Sequence, residues 1–266
     1  MAYSHWLNSG FAKEVMLCPC PSIAQTLYCV ADEQADLAVV PVENSIGGSV
    51  AITLDTLWQL DQLQIQRALI LPITHALLSN SVTLDNIKTV YSHPQALAQC
   101  QKWLEKYIGA AQLVPTNSTT EALEFLHQDQ LAGAIASPRA SQLYNVPILV
   151  PEINDYPDNC TRFWVLGKEP STNGDCTSLA FSLPANVPGS LVKPLQVFAK
   201  RLINLSRIES RPTKRSLGEY LFFIDLEKGS SLHSVEEALE ELATHTEVLK
   251  VFGHYNLLPL NFAATN

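Results

Sequence analysis

Short apolar runs alternate with segments of helical spacing through the first two-thirds of the chain. Residues 37–40 and 133–136 are apolar and lie between polar stretches, as buried strands do. After the first of these runs, apolar side chains recur at helical spacing at Val50, Leu54 and Leu57. A strand, a polar loop and a helix in repeated order predict an α/β fold with largely parallel sheets.

Helix starts are predicted where a hydroxyl residue precedes a glutamine or glutamate by three positions. Ser92 and Gln95 have this capping-box spacing, and Pro94 suits the first helical turn. Ser118 and Glu121 repeat the spacing. On the sequence alone, helix capping is the favoured explanation of both segments. The alternative for the first segment is that His93 orients a ligand.

The pattern changes after a linker at residues 168–176, which is rich in turn-forming residues and has no periodicity. Beyond the linker, strands are predicted at residues 178–183, 205–211, 220–226 and 248–252, and helices at 191–202 and 235–242. The resulting order, βαββαβ, predicts a ferredoxin-like domain.

The chain has 266 residues and a formal net charge of −9, with 26 acidic against 17 basic side chains. This acidity argues against nucleic acid or an anionic membrane as a general partner. No apolar run reaches the roughly 18 residues that a membrane-spanning helix needs. The first residues also lack the basic and apolar regions of a secretory signal. We therefore expect a cytoplasmic protein without a membrane partner.

The cysteines give little reason to expect a metal site. Six are scattered along the chain, and only Cys18 and Cys20 lie close together in sequence. No second cysteine or histidine cluster accompanies them, so we expect no metal and no cofactor. Buried, reduced thiols are the simpler interpretation. Cys160 lies in a polar loop without a nearby histidine to activate it, and it is interpreted as a packing residue.

Residues 41–50 lead from a strand through a polar turn and Gly47-Gly48 to a helix start. Backbone N–H groups at such a start favour an anion, and the glycines allow it to approach closely. The alternative is a plain strand-to-helix turn capped by Ser49.

A second polar segment, residues 159–163, delivers an amide, a hydroxyl and a guanidinium to the edge of an apolar run. Arg162 could bind a carboxylate through two parallel hydrogen bonds. The alternative is that Arg162 bridges structural acids such as Glu43, while Thr161 satisfies backbone groups.

The remaining polar features have simple structural interpretations. Residues 209–212 are a polar strand end, for which a turn is the neutral interpretation. His5 and His75 are interpreted as surface or hydrogen-bonded histidines rather than catalysts.

Four motifs, taken in order, resemble the prephenate dehydratase family with a C-terminal ACT domain. They are Pro41-Val42-Glu43-Asn44-Ser45, Ser92-His93-Pro94-Gln95-Ala96-Leu97, Asn159-x-Thr161-Arg162-Phe163 and Glu209-Ser210-Arg211-Pro212. The resemblance implies a catalytic region at residues 1–168, built like a periplasmic binding protein from two α/β lobes with the site in the cleft. The lobes are expected at residues 1–74 plus 155–168 and at 75–154, and the ferredoxin-like ACT domain at 176–256.

The resemblance implies a carbon–oxygen lyase that converts prephenate into phenylpyruvate, water and carbon dioxide in phenylalanine biosynthesis. The reaction creates an aromatic ring, so the protein has to hold two carboxylates and help the hydroxide leave. Thr161 stands at the family's catalytic threonine and would donate a hydrogen bond into the developing charge. Glu43 would chiefly orient Arg162. The residues implied in catalysis are Asn159, Thr161 and Arg162, and those implied in substrate binding are Ser4, Glu43, Asn44, Ser45, Gly47, Ser92, Gln95 and Phe163.

The ACT resemblance implies L-phenylalanine as a feedback inhibitor bound between subunits, and hence a homodimer or homotetramer. The residues implied in this allosteric site are Gly189, Ser190, Leu191, Glu209, Ser210, Arg211 and Pro212. The family usually has alanine at the position of Ser190, which is a conservative departure.

The N-terminus departs from the family pattern. The family opens with a strand and a glycine-rich loop; here residues 2–5 match the end of that loop, and Met1 stands at its second glycine. Either the start is assigned too far downstream or the chain is a degraded copy, and the first explanation is favoured because nothing else in the chain looks decayed. Two other functions stay open: arogenate dehydratase, with the same chemistry on an amino-bearing substrate, and a non-catalytic amino-acid sensor. Retention of the whole motif at residues 159–163 favours an enzyme over a sensor.

Overall fold

A computed structural model of the chain describes residues 15–127, 129–227 and 232–260. The chain divides into two compact units, Met1–Leu71 with Thr161–Asn266, and Pro72–Cys160. The finer boundaries predicted for the lobes and the ACT domain stay predictions.

The described residues form both strands and helices. The strands are β1 (Ala38–Asn44), β2 (Gly48–Ser49), β3 (Gln64–Pro72), β4 (Ala76–Leu78), β5 (Thr89–Ser92), β6 (Gln112–Pro115), β7 (Ala132–Ala136), β8 (Ile148–Val150), β9 (Cys160–Gly167), β10 (Cys176–Ser182), β11 (Asn204–Pro212), β12 (Tyr220–Glu227), β13 (Val248–Tyr255) and β14 (Leu257–Pro259). The α-helices are α1 (Ile23–Ala31), α2 (Ala51–Gln59), α3 (Pro94–Gln99), α4 (Gln101–Ile108), α5 (Pro138–Tyr144), α6 (Val192–Lys200) and α7 (Leu232–Ala243). Short 3₁₀ helices cover Leu84–Asn86 and Glu121–His127.

The described residues of the first unit form two sheets, and the one formed mainly by the N-terminal half is called the first sheet. Its strand order is β14-β3-β9-β1-β2. β1 runs antiparallel to both β2 and β9, whereas β14 runs parallel to β3. Helices α1 and α2 pack against β1 and bury Leu27, Leu54 and Leu57.

The second sheet of this unit, called the C-terminal sheet, has the order β11-β12-β10-β13. Each of its three neighbouring pairs is antiparallel. This order confirms the predicted ferredoxin-like βαββαβ arrangement. Phe181 and Ile224 lie in a core with residues of α6 and α7. Phe223 and Phe252 instead join the core of the first sheet, because neighbouring residues of a strand face opposite ways. The two sheets therefore share one hydrophobic core.

The second unit has one sheet, ordered β6-β5-β7-β4-β8. β5 is parallel to β6 and β7, and β4 is antiparallel to β7 and β8. The prediction of largely parallel sheets was therefore wrong, since this sheet and the first sheet are mixed. Strand direction depends on which distant segments pair, and hydrophobic periodicity does not report this.

The helix starts differ in detail from the predicted caps. The N-cap of α3 is His93, whose Nδ1 accepts a hydrogen bond from the Gln95 N–H at 3.2 Å, so Ser92 is not the cap. α2 begins after Val50 without a side-chain cap, so the cap predicted at Ser49 was wrong. Ser118 does accept from the Glu121 N–H, at 3.0 Å. Within the described ranges, no helix has the length and apolar character needed to cross a membrane.

Candidate active site

Strands β1 and β9 pair and bring two of the predicted motifs side by side. Asn44 lies opposite Thr161 and Glu43 opposite Arg162, next to a β-bulge that begins at Pro41. Bulges are common beside active sites because they redirect side chains. Since successive strand residues face opposite ways, Asn44 and Thr161 share one face of the sheet, and Glu43 and Arg162 share the other.

Asn44 orients the hydroxyl of Thr161. The side-chain amide Nδ2 of Asn44 donates to Oγ1 of Thr161 at 3.0 Å, across 117 positions of sequence. The Asn44 amide is itself fixed, because its Oδ1 accepts from the backbone N–H groups of Ile46 at 3.0 Å and Gly47 at 2.8 Å. With its oxygen accepting from Asn44, the half-buried Thr161 hydroxyl keeps its own hydrogen for another acceptor.

The turn after β1 is more closed than an open anion-binding loop. The Gly47 N–H donates to Asn44, and Gly48 pairs with Asn44 in the hairpin with a φ of +74°, which glycine adopts without strain. The Val50 N–H donates to the Val42 carbonyl at 2.7 Å. Ser45 lies exposed on the turn. Carboxylate binding by Ser45 and Gly47 stays a prediction, and the geometry gives Gly47 a role in forming the turn.

Arg162 bridges two carboxylates on the opposite face of β9. Its Nη2 pairs with Glu43, and its Nη1 donates to Oδ2 of Asp225 at 2.8 Å. Burial acts to lower the pKa of Arg162, but the charges of Asp225 and Glu43 outweigh it and raise that pKa above its ordinary value. The structure thus has the ion-pair arrangement expected if Glu43 orients Arg162. Substrate binding by Arg162 stays a prediction.

Asp225 anchors a buried polar cluster in the C-terminal sheet, and the sequence interpretation did not single it out. The Asp225 side chain accepts from the Arg207 Nε at 2.8 Å and from the Ser178 hydroxyl at 2.6 Å. The Tyr255 hydroxyl lies 2.6 Å from the Ser178 hydroxyl. Burial is the main reason that the pKa of Tyr255 is raised above its ordinary value. A single acid within the apolar segment 220–226 was the signal available in the sequence.

Asn159, the residue two positions before Thr161, belongs to a buried network in the second unit. Its Nδ2 donates to Oε1 of Gln99 at 3.1 Å, and Nε2 of His75 lies 2.8 Å from the same oxygen. Burial lowers the pKa of His75, against the opposing effect of Gln99. His75 is therefore a hydrogen-bonded, buried histidine, one of the two predicted alternatives. Gln99 was missed because nothing in its helix pattern separates it from an ordinary polar position.

The other predicted residues of the second unit have different environments. Ser92 is fully buried, and its hydroxyl donates to the Ile135 carbonyl at 2.7 Å. Gln95 is exposed at the start of α3. Their predicted contacts with substrate stay predictions. Phe163 lies on the Thr161 side of β9, opposite Pro41, and Ser4 lies outside the described residues.

The residues predicted to bind an effector lie on two separate elements of the C-terminal domain. Gly189 has a φ of +83° in the turn before α6, and Leu191 is the N-cap of that helix. Arg211, on the edge strand β11, donates from Nε and Nη2 to the Asp55 carboxylate of α2 at 2.9 and 3.0 Å. Lys214 pairs with the same carboxylate at 2.8 Å. Effector binding by these residues stays a prediction.

The ion pairs with Arg211 and Lys214 also affect the pKa of Asp55. Burial acts to raise the pKa of Asp55, but hydrogen bonds from Arg211 and Lys214 outweigh it and hold that pKa below the usual value. In the structure, the guanidinium fork of Arg211 is therefore occupied by the carboxylate of Asp55.

Comparisons with known proteins find two matching family models and several related proteins. A family model described as prephenate dehydratase matches residues 1–171, and one described as the ACT domain matches residues 177–244. The chain is 37% identical over 247 residues to a prephenate dehydratase from Lactococcus lactis, covering 90% of this chain and 88% of that protein. It is 44% identical over 239 residues to a bifunctional chorismate mutase/prephenate dehydratase from Aquifex aeolicus, covering 89% of this chain and 66% of that longer protein.

A solved structure and a plant relative extend this comparison. The crystal structure of prephenate dehydratase in complex with L-Phe from Arthrobacter aurescens superimposes with a TM-score of 0.80 at 35% identity, covering 90% of this chain and 80% of that one. An arogenate dehydratase 2 from Petunia hybrida is 38% identical over 258 residues, covering 89% of this chain and 64% of that protein. The predicted fold class, a periplasmic-binding-protein-like region followed by an ACT domain, is confirmed by these structural neighbours.

Proposed function

Because this chain belongs to the prephenate dehydratase family, we propose that it is a lyase that converts prephenate into phenylpyruvate, water and carbon dioxide. The observation that supports this most directly is the Asn44–Thr161 hydrogen bond, which presents an oriented hydroxyl near the start of strand β9. Rigid elements hold a catalytic group more precisely than mobile loops do.

The chemistry requires one departing group to be stabilised. The bond from the ring to its carboxylate breaks and releases carbon dioxide, and the electron pair moves into the ring. The ring then expels hydroxide, which takes up one proton to become water. Thr161 donates its hydroxyl hydrogen towards the departing oxygen, and solvent supplies the proton in the end, because a threonine hydroxyl is too weak an acid to be consumed. Positioned donors of this kind contribute roughly 10²–10³ in rate.

We assign the remaining predicted residues as follows. Asn44 holds the Thr161 hydroxyl, and the turn that contains Ser45 and Gly47 follows Asn44 directly. Asn159, Ser92 and Gln95 supply polar contacts to the substrate, and Phe163 supplies an apolar one. Glu43 holds Arg162 through an ion pair.

The experiment that tests this function is formation of phenylpyruvate from prephenate by the purified chain, with arogenate as the alternative substrate. Turnover of prephenate well above that of arogenate supports the proposal. Preference for arogenate makes the chain an arogenate dehydratase, for which a 38% identical relative is a precedent. Turnover of neither substrate, together with amino-acid binding, favours a non-catalytic sensor.

We further propose that the ACT domain binds L-phenylalanine and inhibits the enzyme, as a dimer or tetramer in the cytoplasm. The support is the matching ACT family model and the neighbouring structure described as a complex with L-Phe. Allosteric coupling between binding sites is reciprocal, so if phenylalanine inhibits by weakening prephenate binding, prephenate weakens phenylalanine binding by the same factor. Isothermal titration of phenylalanine with and without a non-reacting prephenate analogue measures this factor.

A further inference from the structure

We infer that Asp225 of the ACT domain is a positioning residue for the dehydratase reaction, acting through Arg162 on the strand that carries Thr161. This inference rests on the proposed function, and it adds a residue that no motif of the catalytic region contains.

The first step is the position of Asp225. It lies on β12, which has hydrogen-bonded neighbours on both sides in the C-terminal sheet, and it is only 1% exposed. Its two carboxylate oxygens accept from Ser178, Arg207 and Arg162. A carboxylate held by this many donors has one orientation, and it can therefore fix the position of a group bonded to it.

The second step is what Asp225 holds. Arg162 divides its two terminal nitrogens between Asp225 and Glu43. Arg162 is the chain neighbour of Thr161, and Glu43 is the chain neighbour of Asn44. The ion pairs of Arg162 thus fix Arg162 and Glu43 on one face of the sheet. Their chain neighbours, Thr161 and Asn44, form the hydrogen bond on the other face.

The third step concerns the role of Arg162 itself. Its guanidinium is already matched by two carboxylates, and it faces away from Thr161, towards the C-terminal sheet. Trp164, on the same face of β9, lies with its ring centroid 5.6 Å from the guanidinium carbon of Arg207. This environment suits a residue that aligns the strand better than one that meets the substrate directly.

The test is a double-mutant cycle in the full chain, made of Asp225→Asn, Arg162→Gln and the combination, assayed with prephenate. We expect kcat to fall at least tenfold in each single variant, with KM within threefold of wild type. The combined variant should have the kcat of Arg162→Gln alone, because Asp225 acts only through Arg162. The combined variant also removes one charge of each sign, so it preserves the charge balance of the buried cluster.

Two controls separate positioning from general weakening. Asp61→Asn breaks the ion pair between Asp61, two residues after α2, and Lys250 of the C-terminal sheet. This variant should leave kcat unchanged. Phe198→Leu, in the separate core of the ACT domain, should lower Tm with kcat within twofold.

Three results would overturn the inference: Asp225→Asn with the kcat of wild type, a control with the same loss of kcat, or additive effects in the combined variant. If Asp225→Asn fails to fold, the test is the kcat of the combined variant compared with that of Arg162→Gln. A lower kcat in the combined variant would contradict the inference that Asp225 acts through Arg162. These three results all require a wild-type chain that forms phenylpyruvate, so they contradict the inference and leave the proposed function intact. A wild-type chain that forms no phenylpyruvate contradicts the proposed function, and the inference fails with it.

Discussion

Thr161 depends for its orientation on one amide that serves two purposes. The oxygen of Asn44 closes the turn after β1 by accepting from Ile46 and Gly47, and its nitrogen donates to Thr161. The shape of the turn and the direction of the Thr161 hydroxyl are therefore set by a single side chain.

Thr161→Ala should fold normally and lose most of its turnover. The side chain is only half-buried, so its removal costs little packing, whereas loss of the donor should lower kcat by about 10²–10³. Thr161→Ser keeps the hydroxyl and should retain kcat within tenfold. Steady-state phenylpyruvate formation measures both, and wild-type rates in Thr161→Ala would remove the threonine from the mechanism.

Asn44→Asp separates the two purposes of the Asn44 amide. Aspartate still accepts from the turn N–H groups but cannot donate to Thr161, so we expect an unchanged Tm and a kcat reduced about tenfold or more, in line with the loss of one hydrogen bond. Asn44→Ala should lose both the turn and the orientation. Equal loss of Tm in the two variants, measured by thermal denaturation, would contradict this division.

At this scale the sequence predicted the residues but not their contacts. Asn44, Thr161 and Arg162 were each identified from motif resemblance, while the pairing of Asn44 with Thr161 spans 117 positions and depends on strand register. Asp225 was not identified, because an isolated acid in an apolar strand has no spacing that reveals its partner.

At the scale of elements, strand β12 packs its two faces into two different hydrophobic cores. Phe223 on β12 lies at an edge-on angle to Trp58 and stacks on Phe252, in the core shared by the two sheets. Its neighbour Phe222 faces the other way and stacks on Phe181 in the ACT core. One strand thus supports two cores.

Phe223→Ala should destabilise the chain by about 3–5 kcal/mol, the range for truncating a buried phenylalanine. Phe223→Leu, which conserves most of the volume, should cost less than half of this. Chemical denaturation measures both values. A loss below about 1 kcal/mol for the alanine variant would show that the two sheets do not share this core in solution.

His75, just before β4, should make stability depend on pH. Burial lowers the pKa of His75 in the folded state below the unfolded value of about 6.5. The unfolded chain therefore binds the proton more readily, and stability falls as the pH decreases through 6.5 and stops falling below the folded-state pKa. The slope from this one group is at most about 1.4 kcal/mol per pH unit.

The free energy of unfolding of His75→Gln, measured between pH 7.5 and 5.5, should lack this contribution. Parallel pH profiles for wild type and His75→Gln would contradict the expected role of burial.

Elements were predicted best where the pattern is local. β7 and β12 were predicted at almost their observed bounds, because a compact apolar run between turns suffices to indicate a strand. β3 was missed, since polar residues interrupt its first half and the sequence gives no sign that it pairs with β14. The α3 cap was misplaced by one residue because Ser92 ends a strand and is buried there.

At the scale of the whole molecule, L-phenylalanine should stabilise the chain as well as inhibit it. A ligand at 100 times its Kd adds about 2.7 kcal/mol to the free energy of unfolding, which corresponds to roughly 5–10 °C in Tm for a chain of this size. Differential scanning fluorimetry with L-phenylalanine measures the shift, and D-phenylalanine is the control. No shift and no inhibition would exclude the proposed regulation.

The order of domains was predictable from sequence, whereas the shared core was not. A linker and a change of pattern separate the ACT domain from the rest of the chain, and this suggested independent modules. In the structure, Leu221 and Phe223 pack with Leu54 and Leu57 of α2. Apolar residues on both faces of a strand indicate that both faces are buried, but they do not show which helix or sheet covers each face.

Strand β14 bears on how this enzyme could be recombined. After the last ACT strand, residues 257–259 return to the first sheet and pair with residues 68–70 of β3. A chimera that replaces everything after the linker, β14 included, with a module that lacks an equivalent strand would leave the outer edge of β3 open, and open edges invite intermolecular pairing. The transferable regulatory cassette is therefore bounded on its C-terminal side before β14, whose residues belong to the recipient.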